Sequence, residues 1–386
     1  MEQEKIISEF SAKLEEIAEY ENILGDSNIL MDVIRDELTQ IVSDFGDSRK
    51  TKIVESQHDF TMEDLIAEED RVVTISHSGY AKTQPLADYQ AQGRGGVGKS
   101  ATSVKDEDFV EHLLVASTHS TILCFTNKGK VYWLKVYQIP VAGRNARGRP
   151  VINLLPLEDG ERINSILPVD KYSSDHFIVM ATANGTIKKT LLSYYSKPRT
   201  VGLRAVDLVG DDTLIGTAVV DGTKDIMLFS SEGKAVRFDE KDVRATGRVS
   251  KGVRGMRLPP GHTVISMVIP ESDGYLLTVS QNGFGKRTPT AEYPTKGRGG
   301  KGMKAMQASD RNGPLIGAAQ IFSGEQVILI SDQGTMVRIP SDQVSVFGRN
   351  TQGVIVMRLK ASESLERVAR GAEPEERSDV ASVSGE

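Results

Sequence analysis

FIVMATANGT, residues 177–186, decides the fold. The first six residues are apolar or β-branched, enough for one short buried strand. Asn184-Gly185 then turns the chain, because Gly accepts the positive φ that tight hairpins need. The same text recurs five more times. Turn glycines stand at 79, 129, 185, 233, 283 and 334, at spacings of 50, 56, 48, 50 and 51 residues. The other five follow RVVTIS (71–76), TILCFT (121–126), IMLFSS (226–231), YLLTVS (275–280) and QVILIS (326–331). Second apolar segments close the first five units at 113–117, 163–168, 213–219, 264–269 and 315–321. A fixed period near 50 residues marks one supersecondary unit stacked on its copies, and about four short strands per period is the content of a propeller blade. The reading predicts an all-β, six-bladed, propeller-like array over residues 71–359.

About fourteen residues after each turn comes a second signature, G-R-x-x-x-G. It stands at 93–98, 143–148, 247–252, 297–302 and 348–353, with a shortened form, PRTVG, at 198–202. Glycines let a backbone approach a partner closely, and a guanidinium can grip a phosphate bidentately. One phased arginine per copy therefore predicts a regular row of phosphate contacts, which fix register without reading bases. The candidates in these loops are Arg94, Arg144, Arg147, Arg149, Arg199, Arg248, Lys251, Lys296, Arg298, Lys301 and Arg349. Basic residues just after the turns join them: Lys188, Lys189, Arg237, Lys286, Arg287 and Arg338. The solvated alternative for any single loop loses weight when the pattern repeats in phase.

Charge supports that reading. The chain carries −6 overall, but residues 1–70 carry −14 and residues 360–386 carry −3, which leaves +11 on 71–359. Such asymmetry points to a polyanionic partner for the middle segment. No apolar run approaches the roughly 20 residues of a membrane span. The start, MEQEKIISEF, has no basic n-region of a signal peptide, and Cys124 is the single cysteine, so the expected compartment is a reducing cytoplasm. Six histidines show no metal-ligand spacing, and no nucleophile–base set is recognisable; the reading expects no catalytic residue, metal or cofactor on this chain.

The flanks differ from the array. Residues 1–46 show apolar positions at helical spacing in two runs, with Ser27 as the expected N-cap of the second: a short α-helical hairpin whose partner helix is expected upstream. Residues 47–70 read as an acidic connector and 360–386 as a disordered acidic tail. One motif competes with the DNA reading. Residues 93–100, GRGGVGKS, match the P-loop pattern letter for letter. A P-loop requires a buried strand before it and a helix after it. The flanking sequence reads as neither, and the same loop recurs four times without G-K-S.

These residues closely resemble the C-terminal region of the DNA gyrase A protein, in the type IIA topoisomerase family. The likeness covers the helical end, the six repeats and the acidic tail. The family's first-blade box, near Q-[K/R]-R-G-G-[K/R]-G, stands here as Gln92-Gly93-Arg94-Gly95-Gly96-Val97-Gly98, followed by Lys99. Gly93 and Val97 replace two basic positions. ATANGT (181–186), AEYPTK (291–296) and GRNTQGV (348–354) also look like family text. The resemblance implies a β-pinwheel, whose blades exchange a strand, preceded by the end of a coiled-coil arm. It implies duplex DNA wrapped around the basic perimeter, with Gln92, Gly93, Arg94, Gly95, Gly96, Gly98 and Lys99 in the first contact. It further implies ATP-driven negative supercoiling by an A2B2 heterotetramer, with ATP and Mg on the gyrase B proteins and the cleaving tyrosine in an upstream part of gyrase A. The related topoisomerase IV protein is the near alternative. A protein-binding propeller, an RNA binder and a P-loop NTPase are the alternatives from other classes.

Overall fold

Each apolar run becomes the central strand of an antiparallel sheet. In the third repeat Phe177–Thr182 pairs with Thr186–Leu191, placing Phe177 opposite Leu191 and Ala181 opposite Ile187. The closing segment Leu214–Val220 lies on the other side of the central strand. The fourth strand, Val253–Arg254, comes from the following repeat. The first five sheets share this order, completed by Arg149–Pro150, Leu203–Arg204, Val253–Arg254, Met303–Lys304 and Val354–Ile355. The array is a six-bladed β-pinwheel. This computed structural model describes residues 2–47, 51, 63–76, 78–86, 110–143, 146–271, 273–333, 335–360 and 362–371.

Local chemistry explains the recurrent text. The hydroxyl of Thr182 accepts a hydrogen bond from the Thr186 amide at 3.2 Å, just past the turn. The same bond joins Lys130 to Thr126 and Thr335 to Ser331, which accounts for the Ser or Thr that ends each run. The turn glycine has two functions. Gly283 takes φ of 79°, and its carbonyl accepts the amide of Val356 in the exchanged segment at 2.9 Å. A Cβ there would lie 2.2 Å from the Met357 carbonyl oxygen. The turn is thus the seat of the exchanged segment.

The core is a series of slabs between blades. Alternate residues of a strand face opposite ways. Ile122 and Cys124 therefore pack against Val73 and Ile75 of the first blade, while Leu123 and Phe125 pack against Ile178 and Met180 of the third. Central strands are covered on both faces, so they read as continuous apolar runs rather than alternating ones. Burying one such Leu or Phe contributes about 1.5–3 kcal/mol. Five slabs of this kind join the six blades.

Among the described residues the sixth sheet has three strands, Met336–Pro340, Gln326–Ser331 and Leu365–Gly371. This corrects the expected boundary at 360. Leu365 is buried and pairs with Ser331, so the segment read as the start of a tail closes the last blade. Residues 372–386, the rest of the expected tail, lie outside the described residues. A cavity of about 340 Å³ is lined by Ile75 and His112 of the first blade, Ile163 of the second and Arg367 of the sixth. The last blade thus returns beside the first.

The chain divides into two compact units, Met1–Thr61 and Met62–Glu386. The first holds two helices, Glu2–Gly25 and Ser27–Phe45. The N-cap of the second is Asp26 rather than the expected Ser27: its carboxylate accepts the Asn28 amide at 2.8 Å. Phe10, Leu14, Ile34 and Leu38 are exposed, so the apolar stripe of each helix is uncovered. Among the described residues no helix is long and apolar enough to cross a membrane.

Candidate nucleic-acid interface

From the second repeat on, each Gly-Arg loop follows the short 3-10 turn of its repeat and feeds the strand donated to the preceding blade. Its last glycine is one the backbone demands in every described copy. Gly353 has φ of 75°, and a Cβ there would lie 2.6 Å from the Gly285 carbonyl oxygen of the fifth blade's hairpin. The first glycine is unconstrained: around a Cβ at Gly247 or Gly297 no atom lies within 4 Å. The recurrent close approach is therefore to the neighbouring blade, not to a ligand.

Three lysines hold these loops from beneath. Lys286 is fully buried, and its Nζ donates to the carbonyls of Gly348 and Arg349, each at 2.6 Å, and to Thr351 Oγ1 at 3.2 Å. Lys188, 1% exposed, donates to Ala205 O at 2.6 Å and to Arg248 O. Lys82 donates to Gly143 O and Ala146 O at 3.2 and 3.0 Å. Burial pulls the ammonium groups of Lys188 and Lys286 down to about 8, against the opposing pull of Asp207 and Glu292 respectively. The acceptors around each favour the charged form.

The next position along the same strand is also structural. Lys189 Nζ donates to Glu240 O at 2.9 Å. Arg237 donates to Asp225 at 2.7 Å and to Tyr293 O at 3.0 Å. Arg287 donates to Asp342 Oδ1 at 2.9 Å and lies 4.8 Å from the Tyr275 ring centroid. Trp133 does the same in the second blade, donating to Tyr195 O at 2.8 Å. Each latches its blade to the 3-10 turn of the next. The expectation that Lys188, Lys189, Arg237, Lys286 and Arg287 reach DNA is corrected: burial and these partners commit them to the fold.

The remaining cations lie on the rim. Arg147, Arg149, Arg199, Lys251, Lys296, Arg298, Lys301 and Arg338 are exposed, and Arg248 and Arg349 are half-buried at loop bases. Arg298 is exposed yet turned inward, donating to Asp242 O at 2.8 Å and Arg254 O at 3.0 Å. Sequence reasoning missed Arg204 and Arg254 and did not place Lys304 in the row. All three are exposed, at the same place on the exchanged strand of successive blades. The signal was a basic residue two positions after the loop's last glycine. Arg257 and Arg358, five positions after it, are exposed as well. Gln92, Gly93, Arg94, Gly95, Gly96, Gly98, Lys99 and Arg144 lie outside the described residues, as does the whole P-loop-like stretch. Among the described residues no three His, Cys, Asp or Glu side chains gather as metal ligands.

Six segments, 70–117, 120–170, 176–221, 224–271, 274–321 and 325–370, match the family described as DNA gyrase C-terminal domain, beta-propeller. The chain belongs to the DNA gyrase A C-terminal domain family. It is 50% identical over 417 residues to the DNA gyrase A protein of Pseudomonas aeruginosa, covering 97% of this chain and 45% of that protein. It is 51% identical over 341 residues to the gyrase A protein of Escherichia coli, covering 88% and 39%. The chain thus spans less than half the length of these gyrase relatives. Among solved structures it is similar to the C-terminal domain of DNA topoisomerase IV, with TM-score 0.69 and 25% identity over 79% of this chain and 94% of that one. It is similar also to a DNA gyrase A C-terminal domain, with TM-score 0.63 and 26% identity over 78% and 99%. The two structures share the pinwheel; the roughly 50% identity to gyrase A proteins favours gyrase over the topoisomerase IV alternative.

Proposed function

We propose that the array binds duplex DNA without reading its bases and wraps it along the rim. The wrap fixes the handedness of a DNA crossing, so that ATP-driven strand passage in a gyrase holoenzyme introduces negative supercoils. The catalytic steps belong to other parts of that enzyme: strand cleavage to an upstream region of gyrase A, and ATP hydrolysis with Mg to the gyrase B proteins of an A2B2 assembly in the cytoplasm. This chain contributes the DNA path. The reading rests on one observation above all. Arg204, Arg254 and Lys304 repeat at one register position on the exchanged strands of consecutive blades, beside the exposed loop cations. Cations in a regular row neutralise successive phosphates, which carry no sequence information and dominate affinity.

A topology assay tests it. Nicked circular duplex DNA is sealed by ligase with increasing amounts of the chain, then stripped of protein and resolved by gel. Wrapping leaves a linking difference of one sign that grows with protein. DNA binding without any linking difference would exclude wrapping, and equal binding to double-stranded RNA would exclude a DNA-specific path.

A further inference from the structure

The buried lysines recur in alternate blades. Three residues after the turn glycine stand Lys82, Tyr132, Lys188, Val236, Lys286 and Val337 in blades one to six. Where a lysine is present, the loop above it is organised around the ammonium. Lys286 Nζ takes two consecutive carbonyls, Gly348 and Arg349. A planar trans peptide points its N–H opposite its C=O. Carbonyls drawn inward therefore turn the amides of the same peptide units outward, and the first of them, Arg349 N, donates to the Glu292 carboxylate at 3.2 Å, which shows that this face accepts an anionic oxygen. Arg349 Nε is buried without a hydrogen-bond partner, and the guanidinium rests 5.8 Å from the Tyr293 ring centroid, a contact that holds it without using its outer Nη donors. Lys188 likewise takes the carbonyl of Arg248, and the half-buried Arg248 side chain makes no hydrogen bond or ion pair among the described residues.

The fourth blade lacks the lysine, and there the arginine replaces it. Arg298 spends Nε on Asp242 O and Nη1 on Arg254 O, both backbone carbonyls of the preceding repeat. Gly299 adds a backbone bond to Gly255 O at 2.6 Å. In the second blade the shortened loop sits directly on the Tyr132 ring, 2.7 Å from where a Cβ of Gly202 would be. Among these described loops, the one above the lysine-free fourth blade is held by its own arginine, whereas a lysine or Tyr132 leaves the loop's arginine out of that task.

We propose that Lys188 and Lys286 are positioning residues that lock the Gly-Arg loop of the following repeat with its carbonyls inward, freeing Arg248 and Arg349 for phosphate, whereas Arg298 holds its own loop and adds little to DNA binding. The assignment rests on the DNA-binding reading above. Local charge alone would instead make the loop at 296–302, where Lys296 and Lys301 flank Arg298, the main anchor.

The test measures duplex DNA affinity of the full chain against salt for wild type, Arg349→Gln, Arg298→Gln, Lys286→Met and Lys286→Met/Arg349→Gln. One lost phosphate contact makes the log–log slope shallower by about 0.9, so the Arg349→Gln deficit widens about 3.5-fold between roughly 200 and 50 mM salt. Lys286→Met, though buried, shows the same shallower slope, and the double variant shows no further change. Arg298→Gln keeps the wild-type slope and lowers the thermal midpoint instead. A wild-type slope for Lys286→Met, or an Arg298→Gln slope loss equal to that of Arg349→Gln, overturns the assignment. If Lys286→Met does not fold, the Arg298 and Arg349 comparison still decides. A wild-type chain that does not bind DNA overturns the DNA reading itself, and this assignment with it.

Discussion

Replacing Lys251, Arg254 and Arg257 together by Gln removes one segment of the rim without touching the core. All three side chains are exposed. The backbone bonds near them, Arg298 to Arg254 O and Arg257 N to Gly300 O, do not depend on the side chains. Each neutralised phosphate contributes about −0.9 to the slope of log K against log salt on duplex DNA. If all three cations engage, the slope becomes shallower by about 2.7, and the affinity ratio of wild type to variant widens about 40-fold between roughly 200 and 50 mM salt. Fluorescence anisotropy with a labelled duplex long enough to follow several blades measures both slopes, and a melting scan confirms that the variant is folded. Parallel lines for wild type and variant, with the variant folded, would refute the placement of DNA on this rim.

Three further outcomes follow from packing and burial. Gly353→Ala places a Cβ 2.6 Å from Gly285 O at φ of 75°, whereas Gly297→Ala enters open space. The first costs at least about 1–2 kcal/mol in backbone strain and lowers the thermal midpoint by at least about 2 °C, while the second leaves it unchanged; equal midpoints contradict the seat assigned to the exchanged strand. Cys124 is fully buried, and burial pushes its thiol up to about 12, so a thiol reagent labels it only on unfolding; rapid labelling of the native chain refutes the slab packing. Lys188, facing Asp207 and Arg248, and Lys286, facing Glu292 and Arg349, are lowered from 10.5 to about 8 in the fold. Between those values the unfolded chain holds more protons, so stability rises with pH across that window and is flat in this respect below it. Midpoints of wild type minus those of Lys188→Met/Lys286→Met, scanned from pH 7 to 10, check the sign.

The repeat, the hairpins and the blade count were legible because turn chemistry is local: a Ser or Thr three residues before the turn Gly leaves the same mark in every copy. The closing strand of the sixth blade was missed because LERVARG carries three charges, although Leu365 and Val368 are set for burial or half-burial. Strand exchange leaves no periodic trace, since two residues have no period. Its expectation came from family resemblance alone. The buried lysines were misread because lysine is almost always solvated. A signal was nonetheless present. Tyr132, Val236 and Val337 occupy the same offset in the other copies, and a position apolar in half the repeats is an interior one. The rim was half legible: Lys251, Lys296 and Lys301 stood in the motif, while Arg204 and Arg254 stood just past it.

Because each of the first five blades is finished by its successor, no repeat is a self-sufficient module. Excising one would strand the edge of the blade before it, so insertion or loss of a unit must cut through two sheets at once. The same arrangement routes mechanical load. Tension on a rim loop is borne first by the few backbone bonds of a two-residue strand seated in the preceding blade, such as Val354–Ile355 on Phe284 and Gly285. A pull at one station is thus felt by its upstream neighbour as shear on its outermost edge, and the weakest seam of the array runs directly beneath the surface that carries the strain.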